Sequence, residues 1–210
     1  MPSPDLAELH EQAMACRNCH LWANATQTVF GEGPADAQIL FVGEQPGDQE
    51  DLRGRPFVGP AGQLFDRALA EAEIDRSSVY VTNAVKHFKF EPRGKRRIHQ
   101  KPDSKEVLAC KPWLEGELAA VHANIVVALG ATAAQSLIGR TVTIGKERGR
   151  FQPYPPNRHL FVTVHPSYLL RVPDERMQAT EYRRFVDELR MIAGGPKQAA
   201  VVESVQQSLF

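Results

Sequence analysis

The sequence predicts a three-layer α/β/α sandwich around a central four-stranded parallel sheet, on three observations. Four short, largely apolar runs stand out: Ile39 to Gly43 (ILFVG), Ser78 to Thr82 (SVYVT), Ile125 to Leu129 (IVVAL) and Leu160 to Val164 (LFVTV). Runs of this kind suit strands buried on both faces. Helical patterns separate them, which gives parallel pairing the crossover it needs. Polar loops follow three of the runs, GEQPGDQED, NAVKHFKF and HPSYLL. In an open parallel sheet, ligands bind beyond the carboxyl ends of the strands, so these loops are expected to converge on one site.

Taken in order, residues 3–20 read as a helix whose end carries Cys16-x-x-Cys19. The first strand ends in Gly43 and leads into a loop. Residues 61–72 have helical spacing of Leu64, Leu69 and Ala72, before the second strand. A helix over 104–120 opens at Ser104 and places Val107, Leu108, Leu114 and Leu118 on one side. Gly130 leads from the third strand into a helix over 131–137, and a last helix covers about 175–192. Residues 1–193 are expected to form a single domain, working as a monomer, and 194–210 a flexible tail.

Lys and Arg balance Asp and Glu at 25 each, so attraction to an anionic polymer must come from local clustering. No apolar run reaches the length of a membrane span, and the start, MPSPDLAELHEQ, lacks a signal peptide's basic and apolar regions. No membrane association and a cytoplasmic location are therefore expected. Cys16, Cys19 and Cys110 are three and cannot all pair, and a reducing compartment disfavours disulfides. The Cys-x-x-Cys spacing suits a metal, a cluster or a redox pair.

Glu44 and Gln45 put a carboxylate and an amide at the end of the first strand, and Phe57 is placed to wall a flat pocket. A capped turn with a core phenylalanine explains that stretch equally well. Asn83 has one acceptor and two donors, a match for the polar edge of a pyrimidine. After it come Lys86, Lys89, Arg93, Lys95, Arg96, Arg97 and Lys101, with Phe88 and Phe90 among them. Basic residues with interleaved aromatics fit a phosphate backbone and unstacked bases, although a solvated loop also carries such a run. His165 can hydrogen-bond an anionic leaving group and Ser167 a phosphate. Tyr168, Leu169 and Leu170 can fill the gap left by an extruded base.

Together GEQPGDQED, GRPFVGPAG, TNAVK, HPSYLL and the cysteines resemble the iron–sulfur uracil-DNA glycosylases of the family-4 type, in the right order from about Cys16 to Leu170. The stretch Gly94-Lys95-Arg96-Arg97-Ile98-His99 resembles the extra loop of the type-X subtype, and GEQPG with Gln45 suits that form. The resemblance implies a uracil-DNA glycosylase-like fold acting on uracil-containing DNA, with Gln45, Phe57 and Asn83 binding uracil. Lys95, Arg96, Arg97 and Ser167 would hold DNA, and His165 would stabilise the departing base. His99 would trap the sugar as a covalent adduct, oriented by Glu44. Three family cysteines match Cys16, Cys19 and Cys110, while the fourth position is His87, which implies a [4Fe–4S] cluster on those four residues. A zinc site or free thiols remain open, with His20 a rival ligand. So do a conventional turnover glycosylase and a non-enzymatic binder of single-stranded nucleic acid. The ending Gln206-Gln207-Ser208-Leu209-Phe210 resembles the peptide by which bacterial repair proteins bind the sliding clamp.

Overall fold

The computed structural model describes residues 5–196. In chain order it contains α1 (Leu6–Met14), β1 (Ile39–Gly43), α2 (Asp48–Arg53), α3 (Pro60–Glu71), β2 (Tyr80–Asn83), β3 (Phe90–Arg93) and β4 (Arg96–His99). Then follow α4 (Ser104–Ala120), β5 (Ile125–Leu129), α5 (Ala131–Ile138), α6 (Ile144–Glu147), β6 (Phe151–Tyr154), β7 (Arg158–Thr163), α7 (Pro166–Leu169) and α8 (Glu175–Gly194). The proposed clamp-binding residues 206–210 lie outside the described residues.

The four expected strands are present and parallel, in the order β2-β1-β5-β7. The sheet nevertheless has five strands, because β6 adds antiparallel to the outer edge of β7. Pro153 in β6 lacks an N–H, which an edge strand tolerates and a central one does not. A second departure is the β3–β4 hairpin, which forms where the sequence suggested only a basic loop. Gly94, at φ +59°, opens its turn and leaves nothing near its missing Cβ. The amino-terminal helix also stops at Met14, and a separate 3-10 turn covers His20–Ala23, so Cys16 and Cys19 sit in the bend between them.

Alternation along β1 divides the core. Phe41 faces one layer with Phe65, Leu69, Phe185 and Leu189 of α3 and α8, while Leu40 and Val42 face Leu114, Ala133 and Ala134 of α4 and α5. These side chains are withdrawn from water, and burying each of the valine, leucine and phenylalanine side chains contributes about 1.5–3 kcal/mol against leaving it exposed. The chain leaves β1 for β2 on one side and reaches β5 on the other. A crevice opens where the connections diverge, beyond the carboxyl ends of β1 and β5. Among the described residues no helix is long and apolar enough to cross a membrane.

Candidate active site

That crevice is a cavity of about 890 Å³. Its lining includes Glu44 and Gln45 after β1, Phe57, Asn83 at the end of β2, His99 at the end of β4, and His165 and Ser167 at the start of α7. Seven residues spread over more than half of the sequence thus meet because the ends of β1, β2 and β7 share one edge of the sheet and the β3–β4 hairpin brings His99 to the same cavity.

The flat wall is held under constraint. Phe57 has φ +56°, a left-handed backbone that costs a bulky residue strain and persists only where its surroundings enforce it. Gly62 in the first turn of α3 makes room for this conformation, since a Cβ there would lie 1.8 Å from the Phe57 carbonyl oxygen. The Phe57 ring lies 6.1 Å from the His165 ring, and the two planes are inclined by 29°. Gly43 completes this packing: a Cβ on it would stand 2.3 Å from Asn83 Oδ1 and 2.9 Å from Phe57 Cζ.

His165 Nδ1 accepts the backbone N–H of Ser167 at 3.1 Å and lies 2.8 Å from its hydroxyl. With Nδ1 accepting, the ring proton of the neutral imidazole sits on Nε2. Burial lowers its pKa to about 4, helped by the nearby charges of Arg171 and His99. The group therefore offers an N–H donor at neutral pH without carrying charge itself.

His99 Nε2 lies 3.4 Å from Glu44 Oε1. Burial lowers the His99 pKa, Glu44 works against that shift, and Arg171 reinforces it. The other Glu44 oxygen accepts the hydroxyl of Thr132 at 2.5 Å, a contact from the start of α5 that nothing in the loop motifs signalled.

The hairpin carrying His99 is pinned at its base. Gln45 accepts the Lys89 N–H at 3.1 Å and donates to the carbonyls of Lys89 (3.2 Å) and Gln100 (3.0 Å). Its side-chain amide is committed to the hairpin backbone, while the residue itself lines the cavity where the uracil contact was expected. Arg97 was expected to face DNA. Instead its Nε reaches Asp48 Oδ1 at 2.7 Å and its Nη1 reaches Asp51 Oδ2 at 2.5 Å. Its guanidinium also covers the rings of Phe88 and Phe90, 5.4 and 5.1 Å from their centroids. Phe88 is buried in that stack and is no exposed platform for bases. Lys95 and Arg96 remain exposed near the hairpin tip, away from the cavity lining. Of the three wedge residues, Tyr168 and Leu170 are exposed and Leu169 is core.

A profile of the uracil DNA glycosylase superfamily matches residues 30–190, the span that holds all of these cavity residues. The chain belongs to that superfamily. Relatives narrow the comparison. The Type-4 uracil-DNA glycosylase of Thermotoga maritima is 40% identical over 179 residues, covering 85% of this chain and 87% of the relative. That of Pyrobaculum aerophilum is 34% identical over 198 residues, covering 91% and 94%. A Type-5 uracil-DNA glycosylase of the same organism is 29% identical over 150 residues, covering 64% and 63%.

On the far side of the β2 loop of this superfamily member lie the four candidate cluster ligands. Cys110 Sγ accepts the Lys86 N–H at 3.4 Å, and Cys16 Sγ accepts Trp113 Nε1–H at 3.1 Å. Cys19, Cys110, Leu21 and Val85 share a small apolar cluster. His87 Nε2 meets Thr28 Oγ1 at 3.0 Å, while its Nδ1 is buried and has no partner. Such an orphan is costly unless something binds it. Among the described residues no three His, Cys, Asp or Glu side chains converge as one metal ion would require. A cubane takes its ligands at four separate corners and does not require them to converge on one point, and the buried, unpartnered His87 Nδ1 leaves a donor free for such a group.

Proposed function

We propose that this protein excises uracil from DNA and ends the reaction covalently joined to the abasic sugar through His99. The observation that carries the reading is His99 at the cavity wall, 3.4 Å from Glu44 and lining the same cavity as Phe57, Asn83 and His165. The target nucleotide must leave the base stack to reach this cavity. Phe57 stacks on uracil, and the Asn83 carboxamide pairs with its polar edge. A pocket closed tightly around the base at Phe57 would reject thymine by crowding its methyl group.

Breaking the glycosidic bond sends its electron pair to uracil N1 and leaves positive charge at C1′. The Nε2–H of neutral His165 stabilises the uracil anion, which later takes a proton from solvent. A ring-nitrogen lone pair of neutral His99 forms the bond to C1′, and the imidazolium charge so created is balanced by Glu44, which can take the remaining ring proton. No water enters this step and no obvious route hydrolyses the product, so turnover is single. Ser167 and the exposed Lys95 and Arg96 contribute phosphate contacts, which makes binding salt-dependent. Arg97 contributes by holding the hairpin.

Cys16, Cys19, His87 and Cys110 hold a [4Fe–4S] cluster in this reading, supported by the unpartnered His87 Nδ1. Its contribution is structural, tying the amino-terminal bend to α4 and the β2 loop. Uracil-containing DNA, single-stranded or duplex, is the partner.

The names of the relatives favour a second reading, a Type-4 enzyme that releases its product and turns over. A denaturing gel after incubation with a uracil-containing oligonucleotide separates the two. A heat- and detergent-resistant shifted band, absent from a uracil-free control, is expected. Free uracil at multiple turnovers without that band supports the second reading.

A further inference from the structure

Among the described residues Lys86 and Glu117 form the ion pair in which neither side chain has any solvent exposure, with 2.5 Å between Nζ and Oε2. Taking two charges out of water is expensive, and the attraction offsets the cost only when every donor and acceptor is satisfied. Here the accounts of hydrogen bonding are complete. The three donors of the ammonium go to Glu117, to Thr82 Oγ1 at 2.6 Å and to the Asn83 carbonyl at 2.8 Å. Glu117 also accepts the Gly31 N–H at 2.9 Å, the Tyr80 hydroxyl at 3.1 Å and the Thr82 hydroxyl at 2.9 Å. Nothing in the proposed chemistry uses this pair directly.

Its position gives it a task. The Lys86 side chain folds back under its own loop and grips the main chain of Asn83. From the other side, Ala84 N–H reaches the Gly43 carbonyl at 2.9 Å and Val85 N–H reaches the Glu44 carbonyl at 3.0 Å. The backbone under the pyrimidine-reading carboxamide is thus clamped between the end of β1 and a charge anchored in α4.

We propose that Lys86 is a positioning residue for uracil recognition, holding the Asn83 carboxamide in register, and that Glu117 keeps its ammonium in place. The inference rests on the glycosylase reading. A tethered carboxamide meets the developing uracil anion without reorganising, and a misplacement of about 1 Å can cost about a hundredfold in rate. Binding of DNA outside the pocket does not depend on the tether.

The test compares wild type with the neutral double variant Lys86→Met/Glu117→Gln, which removes both charges and leaves an acceptor for Gly31 and Tyr80. Thermal stability, affinity for uracil-free DNA and the single-turnover rate on uracil-containing DNA are measured. Stability and affinity near wild type with a rate down about a hundredfold are expected. A folded double variant that reacts at the wild-type rate overturns the proposal. Should the double variant not fold, Thr82→Val removes one of the three ammonium contacts, together with the hydroxyl bond to Glu117, at nearly constant shape. A rate loss of about tenfold with unchanged DNA affinity is expected there, and an unchanged rate overturns the proposal. Wild-type protein inert to uracil-containing DNA marks failure of the glycosylase reading itself, and the role assigned to Lys86 falls with it.

Discussion

Arg97 Nη1 lies 2.5 Å from Asp51 Oδ2, and that carboxylate has no solvent exposure. Asp51 also accepts the Thr26 N–H, at 3.0 Å. Through this contact a hairpin that projects from the sheet is fastened to α2, which follows the loop that carries Glu44. The histidine at its end is thereby placed against a carboxylate from the loop after β1.

Arg97→Ala removes the partner of a buried charge, for which the cost is about 3–5 kcal/mol. The expected outcome is a lower unfolding midpoint and a loss of adduct of about tenfold or more, because His99 is no longer presented at the cavity wall. Thermal unfolding and gel quantification check the two effects. An unchanged adduct yield in a destabilised protein would separate the anchor from the chemistry.

Gly43→Ala tests the pocket wall. Its Cβ would collide with Asn83 Oδ1 and Phe57 Cζ, so neither group can keep its place. Uracil excision is expected to fall by about a hundredfold or more while the protein stays folded. Single-turnover release of uracil, with circular dichroism as the folding control, checks this.

Acid should affect His165 through a defined window. Its folded pKa of about 4 lies below the ordinary value of 6.5. The fold therefore favours the neutral ring, and stability is lost as pH falls from about 6.5 towards about 4 while the unfolded chain takes up the proton. Above pH 6.5 the group is neutral in both states and contributes no pH dependence. His99 is also shifted downward, so the neutral nucleophile persists somewhat below the usual imidazole range. Adduct formation at pH 6 is expected to stay close to its neutral-pH rate and to fall on further acidification. A rate that already collapses between pH 7 and 6 would contradict the downward shifts of both rings.

The cluster assignment predicts that His87→Cys retains iron and acid-labile sulfide, whereas His87→Ala loses both together with thermal stability. Elemental and sulfide analysis of anaerobically purified protein checks it. Zinc in place of iron in the wild type would refute the assignment.

The parallel strands were legible because ILFVG and IVVAL are buried on both faces and so read as unbroken apolar runs. β6 was not, since FQPY is half-exposed, contains proline and gains its place only by pairing with β7. The hairpin was hidden for a related reason. Its residues are mostly charged, and its order depends on Asp48, Asp51 and Gln45, which are distant in sequence. The cavity residues Glu44, Phe57, Asn83, His99 and His165 could be named in advance through their motifs. The structural uses of Gln45 and Arg97 could not, because an amide or guanidinium suits a ligand and a backbone equally. Asp48 and Asp51 stood in plain view in GEQPGDQED, and their i, i+3 spacing next to a basic stretch was the available signal.

The bond from His99 to the sugar can be probed with the His99→Ser variant. Wild type and variant are incubated with the same uracil-containing single-stranded oligonucleotide, and both covalent product and free uracil are quantified. An adduct is expected with wild type and none with the variant, which should release uracil because water can now reach C1′. A variant that still forms the adduct would contradict the assignment of His99 as the nucleophile.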